Sequence, residues 1–150
     1  MSKNYDPRMH TAEHVLNRTM IQMFDCGRSF SAHIEKKKSK CDYRFGHGLT
    51  AEELKEIENR VNRVIQADLP VSERWLPYKQ AEKVYDLQRL PGSATEDIRI
   101  IDVGTYDSCP CIGPHVQFTG EIGRFQIISA DFEKGVLRIR FRLSHETFVK

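Results

Sequence analysis

The sequence has no run of about eighteen apolar residues, which excludes a helix that crosses a bilayer. Its first residues, Met1 to Asp6, lack the apolar core of a signal peptide, so we expect the protein in the cytoplasm. The excess of one sign of charge over the other is also small. The net charge of +2 at pH 7 excludes a polycation that binds nucleic acid with its whole surface. The sequence therefore predicts a soluble globular protein.

Cysteine is sparse as well, with four residues in the whole chain. In a reducing cytoplasm such cysteines are thiols or metal ligands more often than disulfide partners. The length of 150 residues suits one domain with a real core, and the sequence contains no internal repeat or linker. We therefore expect a single domain that spans residues 1–150.

Two helices are predicted from the pattern of apolar residues. Apolar residues at helical spacing predict a first helix over residues 7–24, which starts after Asp6. A capping box of Thr50 and Glu53 predicts the start of a second helix that continues to about Ala67. The apolar stripe of this second helix is formed by Leu54, Ile57, Val61, Val64 and Ile65.

Strand signals occupy much of the remaining chain. Runs of alternating or β-branched residues predict strands at 30–34, 41–45, 70–75, 98–103, 123–129 and 135–141, with a short helix at 78–85 and a loop at 90–93. The first two strands read as a hairpin. Because helices and strands are mixed without βαβ regularity, we expect an α+β fold, with a mostly antiparallel sheet packed against the two main helices.

Residues of the types that bind zinc occur in two distant pairs. His10 and His14, four apart on the first helix, share one face. Cys111 and His115 flank a Gly113-Pro114 turn that directs both side chains to one point. One thiolate and three imidazoles suit zinc better than magnesium or calcium, which prefer oxygen. Each pair alone is weak evidence. Together they predict a zinc site, and the alternative is a buried histidine pair with an ordinary buried cysteine.

A cluster of lysines follows the first strand of the hairpin. Lys36, Lys37, Lys38 and Lys40 lie within five consecutive residues. Clusters of like charge are mostly solvated loops, and that is one interpretation of this one. The other is that the lysines bind a phosphate backbone.

The two metal-binding motifs resemble those of a known family. His10-Thr11-Ala12-Glu13-His14, then Cys111-Ile112-Gly113-Pro114-His115-Val116, then the Thr119–Phe125 run TGEIGRF are similar to motifs in the editing domain of alanyl-tRNA synthetase and its free-standing relatives. The segment from Leu49 to Asn62 looks like the central helix of that family. The resemblance covers most of the chain, from about His10 to Phe141, and the absence of an aminoacylation domain implies a free-standing, minimal member.

One motif departs from the alanyl pattern. The alanyl family usually shows Cys-Gly-Gly-Thr-His, whereas this chain has Cys-Ile-Gly-Pro-His, which is closer to the editing domain of bacterial threonyl-tRNA synthetase. The HTAEH and TGEIG motifs favour the alanyl side.

The resemblance implies hydrolysis of the ester that joins a wrong amino acid to tRNA. In the alanyl case this amino acid is chiefly serine, with glycine as a second possibility. A pocket for alanine cannot strongly reject an analogue that merely adds a hydroxyl, so discrimination requires a second site. The alternatives are a threonyl-type editor of serine on threonine tRNA, a zinc-containing RNA-binding module without activity, and a hydrolase of small esters or amides.

Individual roles follow from the resemblance and the residue types. The expected zinc ligands are His10, His14, Cys111 and His115, and this number of ligands leaves open whether the ion activates water or positions the aminoacyl group. Thr11 is expected either to contact the substrate or to satisfy its hydroxyl on the backbone of its own helix. Ser31 is expected to read the serine hydroxyl of the substrate, and the alternative is an ordinary exposed serine on a strand. The expected tRNA contacts are Arg28, Lys36, Lys37, Lys38 and Lys40, with Arg138 and Arg140 as a second basic patch.

Two further residues near these motifs are assigned no role in the reaction. Glu13 is expected to point away from the histidine face of the first helix and to lie at the surface. Cys109 is expected to be a free thiol near the site, because Cys-Pro-Cys lacks the spacing of a redox pair.

Overall fold

The first helix presents the histidine motif. The computed structural model describes residues 5–87 and 96–145, and α1 covers Pro7–Phe24, as predicted. The Asp6 side chain caps the helix by accepting a hydrogen bond from the backbone N–H of Met9, and Pro7 stands in the first turn, where a missing N–H costs nothing. One long face of α1, which includes His10 and His14, is buried.

The second helix, α2, covers Ala51–Gln66 and confirms the capping box. Glu53 donates its backbone N–H to the Thr50 hydroxyl, and its carboxylate accepts from the backbone of Thr50. The predicted stripe is buried at Ile57, Val61, Val64 and Ile65, while Leu54 is half-buried. Burial of this stripe against α1 and the sheet supplies most of the driving force for packing the helix.

Four antiparallel strands form the first sheet. Its order is β1 (Ser31–His33), β2 (Ser39–Arg44), β7 (Val136–Ser144) and β6 (Arg124–Glu133). The inward face of β7, formed by Leu137, Ile139 and Phe141, is fully buried. Together with α1 and α2 this face encloses the main hydrophobic core. The hairpin and the alternation of β7 are confirmed.

A second, three-stranded sheet was not foreseen. It consists of β3 (Val71–Pro77), β4 (Asp97–Val103) and β5 (Asp107–Pro110), all antiparallel. No strand was predicted between residues 98–103 and the cysteine motif, but a turn and β5 intervene there. The short helix α3 (Tyr78–Ala81) ends four residues before its predicted end. The predicted loop at 90–93 lies outside the described residues.

The fold class is confirmed as α+β with antiparallel sheets. A smaller apolar cluster, centred on Ala81, Ile98 and Ile100, lies between α3 and the second sheet. Within residues 5–87 and 96–145, no helix is long and apolar enough to span a membrane. The loop after β5 runs back to α1, and this return places the second metal-binding motif beside the first.

Candidate metal centre

The structure brings together the four residues that the sequence pairs at a distance. The potential ligand atoms of His10, His14, Cys111 and His115 all lie within 4.8 Å of one another. His10 and His14 are only 2% and 3% exposed, whereas Cys111 and His115 are half-buried. The histidine pair therefore forms the floor of the cluster, and the residues of the loop after β5 form its more open side.

The distances from the thiol to two imidazole nitrogens lie close to those between ligand atoms around a tetrahedral ion. The Cys111 Sγ lies 3.1 Å from the Nε2 of His10 and 3.6 Å from the Nε2 of His115. Zinc bonds of about 2.0–2.3 Å at tetrahedral angles place neighbouring ligand atoms roughly 3.3–3.7 Å apart. The imidazole rings of His10 and His115 stack with their centroids 4.0 Å apart, and both direct Nε2 toward the thiol.

Each histidine is oriented through its other ring nitrogen. The Nδ1 of His10 donates to the backbone carbonyl of Pro114 at 3.0 Å, since a carbonyl can only accept. The Nδ1 of His14 faces the Asp107 carboxylate at 3.5 Å. The Nδ1 of His115 contacts the Thr11 hydroxyl at 2.9 Å. All three contacts leave Nε2 for a metal, which is the usual arrangement of histidine ligands.

Thr11 fixes the tautomer of His115. Its hydroxyl donates to the backbone carbonyl of Pro7 at 3.0 Å, so its lone pairs accept from the Nδ1–H of His115 and from the backbone N–H of Val116. The residue is completely buried. This network ties α1 to the loop that carries His115.

Asp107, the first residue of β5, contacts two arginines and a histidine. Its carboxylate accepts from Arg18 at 2.9 Å and from two nitrogens of Arg28 at 2.8 and 3.0 Å, in addition to the contact with His14. Burial alone would raise the pKa of Asp107, but the nearby His14 imidazole and the hydrogen bonds from Arg28 offset this and hold the pKa well below its ordinary value. Asp107 therefore carries a full negative charge behind His14.

His115 and Cys111 differ in the protonation state that their surroundings favour. Burial lowers the pKa of His115, and the charges of His14 and His10 lower it further, so the ring is neutral. Burial raises the pKa of the Cys111 thiol to about 12, with a smaller contribution from Cys109. A coordinating metal ion deprotonates such a thiol. The donor set of one sulfur and three nitrogens, each nitrogen already oriented, fits zinc.

Arg99 of β4 holds the loop that carries Cys111. Its guanidinium donates to the backbone carbonyl of Gly113 at 2.7 Å and pairs with Glu73 at 2.7 Å. The backbone N–H of Cys111 in turn donates to the carbonyl of Arg99 at 3.2 Å. The loop is thus fastened to the second sheet on one side and to α1 on the other.

Comparisons with known proteins agree with this architecture. Residues 98–140 match the family model described as the threonyl and alanyl tRNA synthetase second additional domain. The chain is 34% identical over 139 residues to an alanine-tRNA ligase of Treponema denticola, and 91% of the chain is covered. It is 31% identical over 138 residues to an alanine-tRNA ligase of Methanopyrus kandleri, with 89% of the chain covered.

The chain is thus an editing-type domain like that of alanyl-tRNA synthetase, as its motifs predicted. It spans only 23% of the Treponema ligase and 15% of the Methanopyrus ligase. The TGEIG motif of this chain anchors the loop to α2. The Thr119 hydroxyl donates to the carbonyl of Val64 and accepts from the backbone N–H of Leu69, both at 2.8 Å.

The remaining predicted site residues lie at different depths. Lys36, Lys37 and Lys38 are exposed in the hairpin loop, and Lys40 is half-buried. Ser31 is exposed on the edge strand β1. The structure thus leaves the lysine loop accessible to a partner, and the roles of these residues stay predictions.

The arginines are engaged with carboxylates. The surroundings of Arg28 differ from those of the lysine loop, because both terminal nitrogens of its guanidinium pair with Asp107 behind the metal centre. Arg138 pairs with Asp42 at 2.8 Å, and Arg140 pairs with Asp131 at 2.9 Å. These pairs compensate the positive charge of the predicted second patch.

The prediction that Glu13 points away from the histidine face is wrong. Its Oε1 lies 3.9 Å from the Nε2 of His10, and its side chain is only 14% exposed. Residues three apart on a helix are neighbours, and this spacing from His10 was a signal in the sequence. Cys109 is a free thiol, as predicted. No sequence motif indicated Asp107, Arg18 or Arg99.

Proposed function

We propose that this domain hydrolyses the ester between a wrong amino acid and tRNA, with serine on alanine tRNA as its main substrate and glycine on the same tRNA as a second one. Zinc is the proposed metal, tRNA is the proposed partner and the cytoplasm is the proposed compartment. The observation that supports this most is the convergence of His10, His14, Cys111 and His115 in a domain of an editing family.

The side chains of the centre divide the work of holding the metal. His10, His14, Cys111 and His115 would bind it, and the Nδ1 contacts described above fix the ring orientations in advance. When bound, zinc would supply a Lewis acid for an ester carbonyl and a fixed point that orients the aminoacyl group. Thr11 acts in this proposal as a positioning residue for His115 rather than as a substrate contact.

Two carboxylates near the centre have different tasks. Asp107 is buried behind His14, and Arg18 and Arg28 balance its negative charge. It therefore orients a ligand and does not exchange protons. Glu13 lies on the metal side of His10, where a carboxylate can accept a proton from an attacking water. We assign Glu13 as the general base. Ser31 remains the proposed reader of the serine hydroxyl.

The threonyl-type alternative has one specific observation in its favour. The Gly113-Pro114 sequence in the metal-binding loop follows the threonyl pattern, and the carbonyl of Pro114 accepts directly from His10. The family model also includes threonyl synthetases. Serine on threonine tRNA is therefore the second candidate substrate.

The function is tested by deacylation assays with the purified, zinc-loaded chain. Four substrates are compared at equal concentration: serine on alanine tRNA, glycine on alanine tRNA, alanine on alanine tRNA, and serine on threonine tRNA. We expect fast hydrolysis of the first, slower hydrolysis of the second and little hydrolysis of the others. Preferential hydrolysis of the fourth would replace the alanyl proposal with the threonyl one.

A matched pair of cysteine variants tests the role of the centre. Cys111→Ser removes a proposed ligand, whereas Cys26→Ser removes a half-buried free thiol outside the ligand cluster. We expect Cys111→Ser to lose zinc and deacylation together, and Cys26→Ser to keep both. Tight tRNA binding by the wild-type chain without hydrolysis of any substrate would instead indicate a zinc-containing RNA-binding module.

A further inference from the structure

A cleft opens directly beside the metal centre. Its volume is about 220 Å³, and one of its walls is the segment Cys111 to Gly113, which contains a proposed metal ligand. Trp75 and the start of β4 also line it. Pockets for drug-sized ligands measure about 300–1,000 Å³, so this cleft suits a group of the size of one nucleoside.

Trp75 presents an unusually open aromatic surface to this cleft. It is 57% exposed, although a tryptophan is the side chain that gains most from burial. The residue lies on β3, an edge strand of the second sheet, and pairs across the ladder with Arg99. Arg99 also donates a hydrogen bond to the carbonyl of Gly113. This arginine therefore links the strand that carries Trp75 to the metal-binding loop.

The charges around the cleft favour a nucleoside over a phosphate. Arg99, the cation in its lining, is already paired with Glu73 at 2.7 Å. Asp97 and Glu96 add carboxylates to the lining. Carboxylates accept hydrogen bonds from an exocyclic amine or from ribose hydroxyls, and they repel phosphates. An aromatic face combined with acceptors is a common way to bind an unpaired base.

We propose that Trp75 stacks on the base of the unpaired 3′-terminal adenosine of tRNA, and that this cleft holds that nucleoside next to the metal centre. This inference rests on the proposed function, because the ester to be hydrolysed is attached to the ribose of that nucleoside. The stacked base would fix the ribose at the wall that Cys111 forms. Trp75 is thus a substrate-binding residue, distinct from the lysine loop that contacts the backbone.

The chain provides its own probe for this contact, because Trp75 is its only tryptophan. The zinc-loaded protein is titrated with an uncharged acceptor-stem minihelix that ends in CCA, and with the same minihelix without the terminal adenosine. We expect saturable quenching of the tryptophan fluorescence by the first RNA and at least a tenfold weaker apparent affinity for the second. A labelled minihelix measures affinity independently by anisotropy.

Variants separate stacking from general effects on the fold. Trp75→Ala is expected to weaken binding of the CCA minihelix about 5- to 100-fold, the range for loss of one base–aromatic stack, and Trp75→Phe is expected to keep most of the affinity. Phe132→Ala is the matched control, since Phe132 is 39% exposed on the first sheet and should bind like the wild type. Zinc content equal to that of the wild type verifies that each variant has an intact centre.

The outcomes distinguish this inference from the proposed function. Unchanged fluorescence at saturating RNA, equal affinity for both minihelices, or wild-type affinity of Trp75→Ala would each overturn the role of Trp75, even if deacylation is observed. Quenching with the expected preference but without hydrolysis of any mischarged tRNA would support the cleft as a terminal nucleoside site and overturn the proposed reaction.

Discussion

The Nδ1 of His14 lies 3.5 Å from the Oδ2 of Asp107, although the two residues are 93 positions apart in the chain. The Asp107 side chain is completely buried, and its carboxylate pairs with Arg18 and Arg28. A carboxylate in this position fixes the tautomer of a histidine ligand and raises its basicity. If His14 binds the proposed metal, its affinity depends on a residue that is not itself a proposed ligand.

We expect Asp107→Asn to weaken zinc binding about 10- to 100-fold, the usual effect of losing a carboxylate behind a histidine ligand. The affinity is measured by competition with a chelator of known strength. Asp102→Asn is the control, because Asp102 pairs with Arg74 on the second sheet and is not among the proposed ligands or their partners. Equal zinc affinity of Asp107→Asn and the wild type would refute the role of Asp107.

The helices of this chain were predictable because their signals are local. The bounds of α1 follow from Asp6, Pro7 and the helical period, and α2 starts at a capping box that is complete in the sequence. The clustering of His10, His14, Cys111 and His115 was predictable because both motifs are short and contain residue types with a specific chemistry.

The rest depends on contacts that no short pattern encodes. Strand β5 was missed because its four residues, Asp107–Pro110, end in a proline and lack β-branched side chains. Its first residue, Asp107, then reaches His14 only through the packing of β5 against α1. Glu13 is a different case. Residues three apart on a helix are neighbours on its surface, so the spacing of His10 and Glu13 in the sequence already indicated their contact.

Glu13→Gln tests the proposed general base. The Oε1 of Glu13 lies 3.9 Å from the Nε2 of His10, and an amide at this position cannot accept a proton from water. We expect kcat for deacylation of serine from alanine tRNA to fall about 10²- to 10⁴-fold, the usual contribution of a general base, while KM changes little. Glu52→Gln, at an exposed position of α2, is the control.

Zinc content decides how a loss of activity in this variant is interpreted. If Glu13→Gln binds zinc like the wild type and loses turnover, the carboxylate acts in the reaction. If zinc is lost as well, the carboxylate supports the metal centre, and its assignment as a base is wrong.

The hairpin loop tests the electrostatic contact with tRNA. Reversal of the charge of Lys36, Lys37 and Lys38 to Glu is expected to weaken tRNA binding and to reduce its salt dependence. Each lost phosphate contact lowers the slope of log K against log salt by about 0.7–0.9, so three contacts lower it by about 2–3. Binding is measured by anisotropy over a range of salt concentrations.

A control with the same change in net charge separates specific contacts from the overall field. Lys55, Lys83 and Lys134 are exposed at other places on the molecule, and their triple replacement by Glu has the same net charge as the loop variant. We expect this control to keep most of the affinity. Equal weakening by both triple variants would show that the loop has no special role.

The pair of Asp42 and Arg138, which joins β2 to β7, predicts how stability depends on pH. Two hydrogen bonds from Arg138, at 2.8 and 3.0 Å, lower the pKa of Asp42 below its ordinary value of 3.8, although burial acts in the opposite direction. A lowered pKa means that the folded state favours the carboxylate. The stabilisation by this pair is therefore complete above the ordinary pKa and is lost as the pH falls through the lowered one.

Denaturant unfolding of the wild type and of Asp42→Asn measures this effect. We expect the wild type to exceed the variant in free energy of unfolding at pH 6, and the difference to shrink steadily as the pH falls below about 4. Arg138→Gln removes the partner and should reduce the same pH dependence, because the carboxylate then loses the two bonds that lower its pKa. The double variant should show the same pH dependence of the free energy of unfolding as Asp42→Asn alone, since the carboxylate that titrates is absent from both. A difference that stays constant between pH 6 and pH 2 would mean that the pair does not link these strands through the charge of Asp42.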